Sequence, residues 1–190
     1  MLSNVPSRQE IIDKLKIYEI MLVFLFATLV VGTTYLLWPI GDWGVIVQVA
    51  IIMAVGSIGE HYISGKGYYY YTDAKHNGFF IGRVPSWIPF MWVFVVQGAF
   101  IIPLFMGLSM PIAIIASGVL CFILDLVIVE PVLSRKRALW AWTPVENGYL
   151  GFLPSQIDRF TAPPGNYIVW FIFPVITNSL LYGLMLFFIG

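Results

Sequence analysis

The chain is short of charge, histidine and cysteine, and each shortage excludes a class of protein. Only 11% of its 190 residues are charged and 59% are hydrophobic, which leaves too few polar side chains to cover a soluble fold. Lys and Arg together equal Asp and Glu at ten each, so no basic excess favours binding to nucleic acid. The single cysteine, Cys121, allows no internal disulfide. Two histidines are too few for a di-iron site, and we expect no metal or other cofactor.

Long apolar runs take the place of charge. A membrane-spanning helix needs about 20 consecutive apolar residues, and several stretches of the chain reach that length. They are residues 17–40, 43–64, 86–108, 109–133 and 167–189. The sequence therefore predicts a single all-α transmembrane domain of five helices rather than a soluble helical bundle.

The basic residues predict an orientation in the membrane. All ten Lys and Arg residues lie in the N-terminal segment, in residues 65–85 or in residues 134–166. Cytoplasmic flanks of membrane helices collect Lys and Arg. We therefore expect a multi-pass protein of the cell membrane with a cytoplasmic N-terminus, two inner loops and an outer C-terminus. Residues 1–16 lack the pattern of a signal peptide and are expected to form a short interfacial helix.

The two inner loops share an ordered pattern of residue types. It reads aromatic-Thr, Asn-Gly-aromatic, Gly, aliphatic-Pro-Ser and Ile, once from Tyr71 to Ile88 and again from Trp142 to Ile157. Two ordinary turns that coincide are the alternative explanation, because Asn-Gly and Pro-Ser are common turn signals. As a repeat, the pattern predicts two parallel units, each a helix pair with an inner loop. The predicted parts are the interfacial segment 1–16, units 17–85 and 86–166, and a fifth helix at 167–189.

Both loops are also unusually aromatic. The first contains four consecutive tyrosines, Tyr68 to Tyr71, and the second contains Trp140 and Trp142. One interpretation is the aromatic belt that many membrane proteins carry at the interface. The other is that the loops fold back onto the helices and cover an apolar pocket, which their Gly and Pro residues would permit.

Three acids are predicted to lie at membrane depth. Glu60 is near the inner end of the second helix, and Asp125 and Glu130 are in the inner half of the fourth. On an α-helix, residues five apart point about 140° from one another, so Asp125 and Glu130 should not both face the same partner. Ion pairs with nearby Lys or Arg are the structural alternative. Acids at such depth are costly and usually functional, and a neutral carboxyl group can donate a proton to a substrate.

Two blocks of residues resemble a known family. The first block comprises Glu60, Gly65, Gly67, Tyr69, Tyr71, Gly82, Pro85, Ile88, Pro89 and Trp92. The second block comprises Asp125, Pro131, Trp140, Trp142, Tyr149, Gly151 and Pro154. The order of residues in the two blocks resembles that of the carotenoid biosynthesis membrane protein family. This family includes carotenoid hydratases of the bisanhydrobacterioruberin hydratase type. The resemblance covers roughly residues 50–157.

The resemblance implies an enzyme that adds water to a terminal C=C bond of a long polyene or isoprenoid lipid. It makes Glu60 and Asp125 the acid and base, in either order, with Glu130 as a further candidate. The implied substrate-binding residues are Tyr69, Tyr71, Trp92, Trp140, Trp142 and Tyr149. Two alternatives stay open: an isoprenoid cyclase or isomerase, and a non-catalytic subunit that binds lipid, pigment or a membrane protein partner.

Overall fold

The computed structural model describes residues 8–72, 77–143 and 162–189, with side chains described between residues 21 and 187 of those ranges. The helices are α1 (Arg8–Gly41), α2 (Trp43–Gly65), α3 (Ile88–Phe105), α4 (Met110–Leu124) and α5 (Pro164–Ile189). Helix α4 continues without a break into a π-helical segment, Asp125–Lys136. The short strands are β1 (Tyr69–Tyr71), β2 (Phe80–Ile81), β3 (Val84–Pro85) and β4 (Trp140–Trp142).

Five helical stretches of the described residues are long and apolar enough to cross a membrane. They are Met21–Gly41, Trp43–Gly65, Ile88–Phe105, Met110–Lys136 and Pro164–Phe187. Their outward faces expose large apolar side chains such as Phe24, Tyr35 and Phe187, which suit lipid better than water. The chain therefore has the architecture of an all-α, multi-pass membrane protein. Helix α1 runs from Arg8, so residues 8–16 of the expected interfacial segment continue directly into the first span, while residues 1–7 lie outside the described residues.

Helix α3 is the centre of the bundle, because it packs against α1, α2 and α4. Its side chains are buried around most of its circumference, including those of Trp92, Val93 and Phe100. Pro89 suits the first turn of this helix, where an N–H group would have no intrahelical partner. Gly56 of α2 faces Trp92 of α3, and a Cβ at Gly56 would lie in ordinary van der Waals contact with the ring, at 3.4 Å.

A chain of buried hydrogen bonds ties all five helices together. Thr33 of α1 donates to Gln97 Oε1 of α3 at 2.7 Å, and Gln97 Nε2 donates to Gln48 Oε1 of α2 at 3.3 Å. Gln48 Nε2 in turn donates to Asn178 Oδ1 of α5 at 2.7 Å. Asn178 Nδ2 donates to Ser117 Oγ of α4 at 2.9 Å. Such interhelical bonds in membrane proteins contribute about 0.6 kcal/mol each, so the chain mainly fixes helix register.

Helix α2 ends at the end of the bundle that carries the strands, called here the loop end. Gly67 has a φ of 80°, which L-residues with a side chain rarely adopt. Its N–H donates to Ser64 O at 3.0 Å, and the N–H of Tyr68 donates to Ile63 O at 3.4 Å. This is a Schellman motif, which satisfies the last carbonyl groups of the helix and reverses the chain.

The extension of α4 is a π-helix rather than the α-helix expected there. Pro131 lies inside it, lacks an N–H donor, and would clash with the carbonyl four residues earlier in an α-helix. The wider i→i+5 turn relieves that clash. Residues five apart lie closer together around a π-helix than around an α-helix, so the angle of about 140° expected between Asp125 and Glu130 does not apply. The two acids still have different hydrogen-bond partners, Asn166 for Asp125 and two indoles for Glu130. Both side chains are buried, at 0% and 2% exposure.

The π-helical segment ends much as α2 does, with one residue more. Ala138 has a φ of 53°, the left-handed conformation that Gly67 takes after α2. The N–H of Leu139 donates to Leu133 O at 3.0 Å, six residues back rather than five. In the sequence, Glu130 precedes Trp142 by twelve residues, whereas Glu60 precedes Tyr71, the corresponding residue of the first loop, by eleven. The wider turn absorbs the extra residue.

Strands β1 and β4 join the two loops of the loop end as an antiparallel pair. The pairing continues beyond the strands, because the Thr72 N–H donates to Leu139 O at 3.0 Å and the Thr143 N–H donates to Tyr68 O at 2.9 Å. Asn77 is buried and donates to the same Leu139 carbonyl. The paired residues are Tyr69 with Trp142, Tyr70 with Ala141 and Tyr71 with Trp140.

Candidate active site

A small, partly open cavity of about 40 Å³ lies next to the paired strands at the loop end. A cavity needs roughly 10–15 Å³ to hold a water molecule, so this one has room for at least one. Its polar lining consists of Glu60, Glu130 and Asn166. Its aromatic lining consists of Tyr69, Tyr71, Trp140, Trp142 and Trp170. We call this cavity the chamber.

Glu60 enters the chamber from α2 and is held by two aromatic side chains. The Tyr71 hydroxyl donates to Glu60 Oε2 at 2.8 Å. The Trp92 indole N–H donates to Glu60 Oε1 at 2.9 Å. A hydroxyl can either donate or accept a hydrogen bond, whereas an indole N–H can only donate. A proton on Oε2 could therefore be shared with Tyr71 without loss of that bond.

Glu130 enters the chamber from the π-helical segment and is held by two indoles. The Trp142 N–H donates to Glu130 Oε2 at 3.0 Å, and the Trp140 N–H donates to Glu130 Oε1 at 3.3 Å. Trp140 and Trp142 are two residues apart on a strand, so their side chains leave the same face. These two described partners can only donate, which favours the ionised carboxylate form of Glu130.

The aromatic rings of the chamber pack on one another. Tyr69 lies with its ring centroid 4.8 Å from that of Trp142 and 5.4 Å from that of Tyr71. Trp140 lies 6.3 Å from Tyr71 with the two rings nearly perpendicular. These separations are typical of attractive aromatic pairs. The rings therefore form a rigid wall whose faces and edges surround a small volume.

Tyr71 lies just outside the membrane-spanning helices. Burial first, and then the Glu60 carboxyl group beside it, raise the pKa of Tyr71 well above its ordinary value. The hydroxyl group therefore keeps its proton over the physiological range of pH. The Tyr71 hydroxyl can therefore relay a proton only if it accepts a second proton while it donates its own.

A second and much larger cavity is a groove of about 800 Å³ between α2 and α5. It reaches from Val55 to Lys66 along α2, and from Pro163 to Phe173 along α5. At a rise of 1.5 Å per residue, ten residues cover about 15 Å, which is half the thickness of a bilayer core. Gly56, Gly59 and Gly165 widen it. Exposed apolar residues of both helices flank it, so it opens toward lipid.

The groove and the chamber meet at four residues that line both. They are Glu60, Tyr69, Trp142 and Asn166. Trp92 donates a hydrogen bond to Glu60 and lines the groove. Trp170 lines the chamber and stacks on Trp92, with the ring centroids 4.3 Å apart. Glu60 therefore stands between a large groove that opens toward lipid and a small space of water-sized volume.

Asp125 lies behind the chamber rather than in its wall. Its Oδ2 accepts a hydrogen bond from Asn166 Nδ2 at 2.7 Å, and Asn166 lines the chamber. Its Oδ1 is buried and has no hydrogen-bond partner among the described residues. Asp125 thus orients Asn166, and among the described residues the carboxyl groups that line the chamber are those of Glu60 and Glu130.

Most of the residues singled out from the sequence meet at this site. Glu60, Glu130 and the four aromatic residues of β1 and β4 named above line the chamber, and Trp92 joins them through Glu60. Tyr149 lies outside the described residues. Asn166 and Trp170 were missed, although a polar residue in the first turn of an apolar helix could have drawn attention to Asn166. Trp170 carries no such signal, because aromatic residues are common in membrane helices.

Within the described ranges, no group of three or more His, Cys, Asp or Glu side chains is arranged to hold a metal ion. Comparison of the chain with models of protein families, with curated proteins and with solved structures found no match.

Proposed function

We propose that the chain is a membrane enzyme that adds water, by acid catalysis, to a terminal C=C bond of a long polyene or isoprenoid lipid. One observation supports this most directly: Glu60 lies where a wide groove open to lipid meets a much smaller chamber with room for water. Hydration of an apolar alkene needs both reactants and a proton donor at one point. The polyene as substrate follows from the family resemblance.

The reaction begins with the alkene end of the substrate in the groove beside Glu60. Glu60 in its neutral form gives its Oε2 proton to the less substituted alkene carbon. The π electrons form the new C–H bond, and a tertiary carbocation remains on the neighbouring carbon. Aromatic faces stabilise a cation by roughly 0.5–2 kcal/mol each, and Tyr69 and Trp142 lie at this junction.

Water from the chamber then completes the addition. Its oxygen attacks the carbocation to form the C–O bond, and Glu130 takes the proton that the water loses. The indole donors on both Glu130 oxygens favour the carboxylate that this step requires. This assignment replaces the pair Glu60 and Asp125 by Glu60 and Glu130, since Asp125 does not line the chamber.

The proposal includes an orientation. Lys66, Arg83 and the run Arg135 to Arg137 all lie at the loop end, next to the strands. The turns at the other end, at residues 41–43 and 106–109, contain no Lys or Arg. By the positive-inside tendency the loop end faces the cytoplasm of a plasma membrane protein, with the N-terminus inside and the C-terminus outside.

Expression in a host that makes an acyclic carotenoid tests the function. We expect the wild type to yield pigment whose mass has increased by one or two waters, and Glu60→Gln to yield none. Glu130→Gln should lower the yield at least tenfold, because a positioned base contributes about 10²–10⁴ in rate. Asp42→Asn, an exposed acid at the opposite end of the bundle, is the matched control and should behave as wild type.

Other products would identify the competing functions. A pigment of unchanged mass but altered double bonds would indicate an isomerase or cyclase, which loses a proton from the same cation. Unaltered pigment that co-purifies with the protein would indicate a binding protein. Protein amounts in the membrane fraction, compared by immunoblot, separate lost catalysis from lost expression.

A further inference from the structure

The proposed hydration leaves a proton in the wrong place after each turnover. Glu60 has given a proton to carbon, and Glu130 has gained one from water. The next turnover requires the proton to travel from Glu130 back to Glu60. Both carboxyl groups line the same chamber, so the return path lies inside it.

Only one of the two Glu60 oxygens can receive that proton through its existing partner. Oε1 is held by the Trp92 indole, which donates and cannot relay. Oε2 is held at 2.8 Å by the Tyr71 hydroxyl, which can donate its own proton and accept another at the same time. Tyr71 also lines the chamber that Glu130 lines.

We propose that Tyr71 is the proton relay that resets this site, a role that rests on the proposed hydration. Tyr71 Oη passes its hydrogen to Glu60 Oε2 and takes a proton from a chamber water, which in turn takes one from Glu130. Each O–H bond that breaks is matched by one that forms, so Tyr71 and the water end unchanged. One cycle consumes one alkene and one water, and no net proton.

The surroundings of Tyr71 suit a relay. Its ring is held between Tyr69 and Trp140, at centroid distances of 5.4 and 6.3 Å, which keeps the hydroxyl aimed at Glu60. The chamber volume of about 40 Å³ admits the bridging water. The neighbouring Tyr70 points out of the opposite face of the strand and is 59% exposed, so it provides a matched control.

Rapid-mixing kinetics of purified protein in lipid vesicles test the relay, with an acyclic polyene that ends in a trisubstituted alkene as the substrate. The protein is equilibrated before mixing, so that Glu60 starts protonated. We expect Tyr71→Phe to form about one alcohol per protein in a burst at a rate near wild type, and then to turn over roughly 100-fold more slowly, which is the scale of a lost acid–base group. Tyr70→Phe should keep the wild-type steady rate.

The outcomes separate the relay from the function on which it rests. A steady rate within twofold of wild type for Tyr71→Phe overturns the relay. Loss of the burst together with the steady rate also overturns it, because Tyr71 would then be needed for the first protonation. Glu60→Gln should show neither phase. A wild type that forms no alcohol overturns the proposed hydration, and the relay with it.

Discussion

At the scale of single residues, the hydrogen-bond partners of the acids distinguish their roles. Among the described residues, Glu60 has one partner that can accept a proton and one that cannot, whereas the two indoles that contact Glu130 only donate. Asp125 is as deeply buried as Glu130, but it contacts Asn166 rather than the chamber. The proposed roles of the acids therefore depend on the identity of these partners and not on depth along the helix alone.

The raised pKa of Tyr71 predicts a pH dependence of stability. The folded protein binds the Tyr71 proton more tightly than the unfolded chain does, and this difference stabilises the fold. The stabilisation is fully present below the ordinary tyrosine pKa of about 10 and is lost as the pH rises through the higher pKa of the folded state. In detergent, the wild type should lose thermal stability above about pH 10 more steeply than Tyr71→Phe does. Unfolding temperatures across that range measure the difference.

Tyr70→Phe is the control for this titration, because it removes an exposed hydroxyl from the same strand. Its unfolding temperatures should follow those of the wild type at each pH. Parallel curves for wild type and Tyr71→Phe would contradict the prediction, since the buried hydroxyl would then contribute no proton linkage.

At the scale of elements, the two helix ends before β1 and β4 use the same left-handed turn with different residues. The sequence predicted similar loops, but it did not predict that the helix before the second loop would be a π-helix. Pro131 was visible, yet whether a proline kinks, ends or widens a helix depends on what packs around it. The pairing of β1 with β4 could not be predicted from the sequence either, because strands three residues long carry almost no periodic signal.

The two turn residues make opposite predictions for stability. Gly67→Ala should destabilise the fold by about 1–2 kcal/mol, the cost of an L-residue in the left-handed conformation. A Cβ at Gly67 would meet no heavy atom within 4 Å, so backbone strain alone is the cause. Ala138→Gly should stabilise by up to about 1 kcal/mol, reduced by the extra freedom of glycine in the unfolded chain. Unfolding titrations in mixed micelles measure both changes.

A result in which Gly67→Ala is neutral would mean that the reversal after α2 tolerates another conformation. A loss of stability in Ala138→Gly would mean that the Ala138 methyl group packs on something that the backbone angle does not reveal. The pair thus tests the turn geometry separately from any catalytic role.

At the scale of the whole molecule, the bundle leaves a gap between α2 and α5 on the lipid side while its polar interior ties the helices together. Buried amides and hydroxyls of all five helices form one hydrogen-bonded chain, which fixes the register of the helices. The groove can therefore stay open without loss of the fold. Its glycines supply width at the level of Glu60.

Filling the groove should block a long substrate without unfolding the protein. Gly59 lines the groove, and a Cβ there would meet nothing within 4 Å. We expect Gly59→Leu to fold normally and to lower turnover of a long polyene at least tenfold. The free energy of burying a leucine, about 1.5–3 kcal/mol, is of the size that a displaced apolar substrate end would lose. Pigment analysis and thermal unfolding give the two readouts.

Gly183→Leu is the matched control on α5, because a Cβ there also meets nothing within 4 Å and Gly183 does not line the groove. It should leave both turnover and stability unchanged. Wild-type turnover in Gly59→Leu would show that the substrate reaches Glu60 by another route.

The sequence by itself determined the all-α membrane class of the protein, the approximate spans and the positions of the three acids along them, because these depend on hydrophobicity summed along a helix and on rise per residue. Only the tertiary structure decided which acids share a chamber. That choice depends on a proline-widened helix turn, on two strands that meet from distant loops and on Asn166 at the start of the last helix. Contacts between side chains far apart in the chain have no local signature, since they arise from how the helices pack.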